Sequence, residues 1–327
     1  MSRCGLRIVS IVYVALAVTL FVDSHAAAED KVTYRLKWLI NMSTVGDVFA
    51  KDQGYFKKQG LDVTIKPGGP ERDAIRELEL GYTHFGVVSA DQVIQAVAKG
   101  APVVVIAQLF QSNPLQWIYF KNKSRIQSLN DLEGKTLGVT FGKNDEFIMR
   151  TLLAKAKLSE EQVRLYSVRL DFSPFYKHQV DLWPVYINTQ GIEIGRRLTK
   201  AGEQFGFLNP TQFGVRFVAN SVVTSSQMVK QHPELIQRFL KALLQGWRAA
   251  IDPANAKVAI STVQHYDRTT SEDVLKEQLA QTRELIKPAT GRSIGFIDVT
   301  AWQQTEQIML DNKQIDGPVD VKQYLIH

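Results

Sequence analysis

Cysteine is almost absent from this chain: the single residue, Cys4, precedes an apolar run near the N-terminus. If that leader is removed, no thiol remains, which excludes disulfides, thiolate zinc sites, a cysteine nucleophile and a lipid-modified cysteine directly after the leader. The fold must then rest on its core alone. Catalytic signatures are also missing: there is no Gly-x-Ser-x-Gly elbow, no Gly-Lys-Ser/Thr phosphate loop and no His-Glu-x-x-His zinc motif. His84, His178, His232, His265 and His327 are isolated and show no ligand spacing, so no metal and no cofactor is expected. No basic run exceeds two residues, and the bases are mixed with acids, whereas nucleic acid requires a basic cluster on one face. After the leader no segment reads as a membrane span, and there is no internal repeat or low-complexity tract.

The N-terminus carries Arg3 and Arg7, then the apolar run Ile8 to Val22 and the small-residue patch Ser24 to Ala28. That order predicts a secretory signal peptide over residues 1–28, cleaved near Ala26 or Ala28. An uncleaved anchor is the alternative, disfavoured by a run of about 15 residues against the roughly 18 to 20 a spanning helix needs. Cleavage after Ala28 takes Lys+Arg from 39 to 37 and Asp+Glu from 33 to 32, leaving a net charge of +5. The remaining chain, roughly 300 residues, is long enough for two domains with sizeable cores.

Short β-branched runs alternate with helical patterns. Val32 to Trp38, Val63 to Lys66, His84 to Val88, Val103 to Gln108, Trp117 to Phe120 and Thr136 to Val139 read as strands. Near Ala74 to Leu80, Asp91 to Ala98 and Asp145 to Lys157 the apolar spacing is three and four. Such alternation predicts an α/β fold of parallel sheets covered by helices on both faces. From Ser225 onward the pattern turns mostly helical, as suits a chain that enters a second lobe, returns, and packs its C-terminal helices on the first. The expected division is a discontinuous first lobe, 29–118 with 220–327, and a second lobe, 119–219.

In open α/β sheets ligands bind beyond the carboxyl ends of the strands, so the candidate site residues are sought there. Trp38 and Asn41 follow the first strand; Trp38 could stack on a flat ligand or merely cap the core. Gly68 and Gly69, in Pro67-Gly-Gly-Pro70, could let backbone approach a ligand, or form only a turn. Ser89 and Asp91 open a helix directly after Phe85-Gly-Val-Val88, where a helix cap and a polar contact are both possible. Gly142 and Glu146, around Lys143-Asn144, repeat that junction. Trp183, Tyr186 and Asn188 end a later strand with two aromatics and an amide, suited to a planar heterocycle or to core packing. Gln111, near the first crossing, completes the candidates.

These residues assemble into a pattern. Trp38-x-x-Asn41, Gly54-Tyr-Phe-Lys-Lys-Gln-Gly-Leu-Asp-Val63, Pro67-Gly-Gly69, Phe85-Gly-Val87, Gly100-Ala-Pro-Val103, Leu129-x-Asp-Leu-x-Gly-Lys135, Gly142, Pro233 and Arg238-Phe-x-x-Ala242 occur in this order. With them the chain resembles, along essentially its whole length after the leader, the nitrate/sulfonate/taurine-type and thiamine-pyrimidine-type solute-binding proteins of ABC importers. The resemblance implies a type II periplasmic-binding-protein fold: two doubly wound lobes joined by two crossover segments and closing on one small solute. It implies a periplasmic monomer that delivers the solute to ABC permease subunits and is not an enzyme. Trp38 and Tyr186 would sandwich a ring such as a thiamine-precursor pyrimidine, with a sulfonate, nitrate or carboxylate as the alternative solute. Two positions depart from the pyrimidine branch: Thr44 stands where a histidine is usual, and Thr189 where a glutamate is. Fungal thiamine-pyrimidine synthases share the fold, but their pyridoxal-phosphate lysine and reacting histidine are matched here by Val88 and Gln92.

Overall fold

A computed structural model describes residues 29–287 and 291–326; the expected signal peptide lies outside them. Two five-stranded sheets organise the chain. The first has the order β2-β1-β3-β10-β4, built from β1 (Asp30–Arg35), β2 (Leu61–Lys66), β3 (Phe85–Val88), β4 (Val103–Gln108) and β10 (Ser221–Ser225). The second has the order β7-β6-β8-β5-β9, from β5 (Leu115–Phe120), β6 (Thr136–Val139), β7 (Arg164–Ser167), β8 (Leu182–Tyr186) and β9 (Phe205–Leu208). Both sheets are mixed rather than parallel. β10 runs antiparallel to β3 and β4, and β5 runs antiparallel to β8 and β9. A strand that arrives through a short crossing, instead of through a covering helix, is free to pair antiparallel.

Strand β5 lies wholly in the second sheet, so the boundary expected at 118/119 cuts through a strand. The first crossing occupies the residues between Gln108 and Leu115, while the second, between Leu208 and Ser221, runs up to the expected boundary at 219/220. Alternation alone does not say which sheet a strand joins. The first strand is also shorter than its apolar run, ending at Arg35 and leaving Trp38 in the loop beyond.

Helices cover the sheets: α1 (Val45–Asp52), α2 (Ala74–Glu79), α3 (Ala90–Ala98) and, after return to the first lobe, α7 (Ser226–Gln231), α8 (Pro233–Ala250), α9 (Ala256–Tyr266), α10 (Glu272–Ile286) and α11 (Val299–Asp311). The second lobe carries α4 (Asn144–Ala156), α5 (Ser173–Tyr176) and α6 (Gln190–Lys200). The α8 side chain Phe239 stacks on Phe85 of β3, with ring centroids 3.8 Å apart, while Phe56 and Tyr34 contact its other sides. Beside them Asp47 of α1 is buried, accepting hydrogen bonds from the Tyr34 hydroxyl at 2.8 Å and from Trp247 Nε1 at 3.2 Å.

Helices α1 and α8 approach closely because glycine sits where they cross. A Cβ on Gly246 would lie 2.4 Å from Ala50 Cβ and 2.7 Å from Ala50 Cα, and backbone of a packed helix cannot yield as a side chain can. Gly246→Val is therefore expected to lower unfolding free energy by about 2–3 kcal/mol, in the range for overpacked cores. Denaturant unfolding at neutral pH checks this.

Among the described residues no helix is long and apolar enough to cross a membrane.

Candidate functional site

The parallel strands of the two sheets point their carboxyl ends at a shared cleft. It spans about 810 Å³ with the open solvent at its mouth included, of which about 100 Å³ can hold the centre of a water molecule. The first lobe contributes the loop after β1: Lys37, Trp38, Asn41, Ser43 and Thr44. This loop is held from beneath, since the Gly68 N–H donates to the Trp38 carbonyl at 2.9 Å. A Cβ on Gly68 would lie 2.2 Å from the Leu36 carbonyl oxygen, so only glycine lets the two strand-end loops meet. Asn41 fixes the next turn, its Oδ1 accepting the Ser43 N–H at 2.8 Å.

The second lobe supplies Thr140, Lys143, Asn144 and Asp145 from the β6–α4 junction and Val168, Arg169 and Phe172 after β7. Trp183 to Tyr186 of β8 form the floor, with Thr189 and Gln190 at the start of α6. Leu115 opens β5, and Asn220 ends the second crossing. Trp183 is also a core residue, 1% exposed and packed against Phe172 and Phe175.

Several contacts join the lobes. Lys37 Nζ donates to the Tyr186 hydroxyl at 2.9 Å, which in turn donates to Asn220 Oδ1 at 3.1 Å. Asn188 Nδ2 donates to Ser43 Oγ at 3.0 Å and Thr282 Oγ1 at 2.9 Å. At the mouth Arg169 pairs with Glu71, and Lys143 donates to the Arg72 carbonyl. The structure therefore has its lobes in contact.

Two carboxyls near these elements are buried. Burial pushes Asp145 up to about 6, while hydrogen bonds from Thr140, 2.6 Å for its backbone N–H, pull the other way. Burial likewise pushes Asp91 up to about 6, opposed first by the charge of Lys37. Burial lowers the Lys143 ammonium, with Asp73 opposing.

Of the residues singled out from sequence, Trp38, Asn41, Trp183 and Tyr186 line this cleft together. Ser89 and Asp91 do not line it: both are fully buried, and the Ser89 hydroxyl is taken by Gln92 at 3.1 Å. Gly68 supports the Trp38 loop from behind, while the Gly69 carbonyl accepts the Arg72 N–H in the next turn, and neither lines the cleft. Gln111 ties the first crossing to the Phe296 carbonyl at 3.1 Å and the Gln108 carbonyl at 2.9 Å. The Gly142 N–H binds Glu146, whose other oxygen takes Arg150, so that pair closes a local turn rather than facing the cleft. Asn188 is spent on the contact between lobes. Lys37, Lys143, Asn144, Asp145, Arg169, Phe172 and Asn220 were not among the candidates. The available signal was a lysine beside a strand-end tryptophan, and polar residues at a helix start.

Residues 41–256 match the NMT1/THI5-like family. The chain is 25% identical over 313 residues to the riboflavin-binding protein RibY of Chloroflexus aurantiacus, covering 90% of this chain and 84% of that protein. It is 25% identical over 306 residues to the formylaminopyrimidine-binding protein of Halalkalibacterium halodurans, covering 91% of each. Pyrimidine phosphate synthases are also among its relatives, over shorter stretches. In structure it is similar to the alkanesulfonate-binding protein SsuA of Xanthomonas axonopodis pv. citri, with a TM-score of 0.68, 17% identity, and coverage of 91% of this chain and 98% of the other. The chain, with its two mixed sheets in a periplasmic-binding-protein fold, belongs to the NMT1/THI5-like family.

Proposed function

We propose that this protein is an extracytoplasmic solute-binding protein that captures a planar heterocycle between its lobes and delivers it to an ABC permease without altering it. One observation carries the reading: Trp38 of the first lobe and Tyr186, Trp183 and Phe172 of the second line the same cleft. Aromatic faces with a few fixed polar groups suit a flat ring. A ring touching both lobes stabilises the closed state, which is the form a permease can distinguish from the open one. Two relatives are named for binding planar heterocycles, a flavin and a pyrimidine.

The residues do not fit the enzyme of the same fold. The positions matched to the synthase lysine and histidine carry Val88, buried in β3, and Gln92, held in the helix cap by Ser89. Neither side chain can form an imine with pyridoxal phosphate.

The test is a thermal-shift and calorimetric screen of the purified protein against riboflavin, formylaminopyrimidine, nucleobases, aliphatic sulfonates and carboxylates. At least one heterocycle is expected to raise the melting temperature and to be recovered unchanged by mass spectrometry. Stabilisation by aliphatic acids alone would overturn the ring reading, and recovery of a converted product would overturn the receptor reading.

A further inference from the structure

We propose that the ligand's ring carries an anionic group, a carboxylate, sulfonate or phosphate, held between the Lys37 ammonium of the first lobe and the first turn of α4 in the second. This rests on the ring-binding reading above and narrows its ligand class.

The argument begins with Lys37. Its half-buried ammonium reaches across the cleft to a neutral phenol, Tyr186, and forms no ion pair among the described residues. The buried Asp91 feels its charge but accepts no hydrogen bond from it. A cation partly withdrawn from water and given only a neutral partner is under-compensated, so an incoming anion gains more there than in solution.

The second lobe offers matching donors. Helix α4 is 13 residues long and starts without a side-chain cap, with Asp145 and Glu146 in its first turn. Its first residue, Asn144, lines the cleft, is 5% exposed, and has an Nδ2 with no partner among the described residues. Lys143 stands immediately before it. The charge of Lys37 acts on both Lys143 and Asp145, which places the ammonium in electrostatic range of this helix start. Asp145 is the one carboxylate lining the cleft, and it is engaged by the Thr140 N–H; Glu146, in the same turn, is taken by the Gly142 N–H and Arg150, while Asp73 and Glu71 lie in range of Lys143. Two ammonium groups, an unpartnered amide N–H and a helix N-terminus thus face one acid from two sides of the cleft. An acceptor-only group satisfies that arrangement, whereas a neutral amide or hydroxymethyl leaves Lys37 on Tyr186.

The test uses ring pairs that differ in the acid: orotate against uracil, nicotinate against nicotinamide, and pyridine-3-sulfonate against 3-hydroxymethylpyridine, titrated calorimetrically into the purified protein. In at least one pair the acid is expected to bind about tenfold or more tighter, a charge-assisted hydrogen bond's worth. Raising the salt concentration should narrow the ratio. In Lys37→Met the ratio should fall to about one, and in Lys37→Arg, which keeps the charge, it should be largely retained. Equal affinity for acid and neutral partner, or a ratio unmoved in Lys37→Met, overturns this inference and leaves the ring reading standing. Binding of neither member of any pair, with none of the heterocycles above binding either, overturns both.

Discussion

Replacing Trp38 with alanine is expected to weaken binding of the proposed ring ligand by about 30-fold or more, the cost of truncating a tryptophan anchor at a contact surface. Its effect on stability should be small, since Trp38 is half-buried in a loop beyond β1 rather than in the sheet. The contrast is Trp183→Ala. That ring is 1% exposed and packed against Phe172 and Phe175, so its removal is expected to lower unfolding free energy by about 3–5 kcal/mol. Calorimetric titration with whichever heterocycle the screen identifies, together with denaturant unfolding, separates the two. Full affinity in Trp38→Ala would remove the first lobe's aromatic wall from the ring-binding reading.

The second large effect is on the pH dependence of stability. Burial raises Asp47 to about 7, with the Tyr34 and Trp247 hydrogen bonds only partly opposing it. Between its ordinary value of 3.8 and that raised value, the folded state holds a proton that the unfolded chain has lost. Stability from this group is therefore complete below about pH 4 and falls as the pH rises towards about 7. Asp91 and Asp145, both raised to about 6, add a decline of the same sign over a narrower window. Asp267, which is lowered and partly buried, acts in the opposite sense, so the measurable quantity is a difference between variant and wild type. Asp47→Asn keeps an oxygen to accept from Tyr34 and Trp247 but has no charge to bury. Relative to wild type it should gain on the order of 2–4 kcal/mol in unfolding free energy between pH 4 and pH 8. Unfolding curves at both pH values check this, and parallel profiles for the two proteins would contradict it.

What could be read from the sequence divides by physical cause. The strand and helix order was legible because apolar spacing shifts between two and three-to-four residues, as at Phe85–Val88 followed by Ala90–Ala98. The sheet to which β5 belongs was not, because pairing partners leave no mark on a strand's own alternation. Within the cleft, Trp38 and Trp183 to Tyr186 were legible as aromatics at strand ends. Ser89 and Asp91 shared that position in sequence, yet α3 turns them into the interior of the first lobe, where the hydroxyl caps its own helix. Asn188 looked like one more polar group beside Tyr186, but the turn between β8 and α6 carries it past the cleft to Ser43 and Thr282. Lys37 was passed over because a lone lysine next to a tryptophan ordinarily lies in solvent; its reach to Tyr186 depends on a residue 149 positions away.

The place of β10 in the first sheet bears on how the chain assembles. β3 and β4 do not pair with each other; β10, which follows the whole of the second lobe, lies between them and bonds to both. As the polypeptide emerges, the second lobe is a continuous segment that can close its sheet by itself. The first lobe is left with an unfilled gap until residues 221–225 arrive. Its completion waits on the most sequence-distant pairing in the sheet, which is the slow kind to form. The second lobe can thus be complete before the first, and the cleft between them forms last of all.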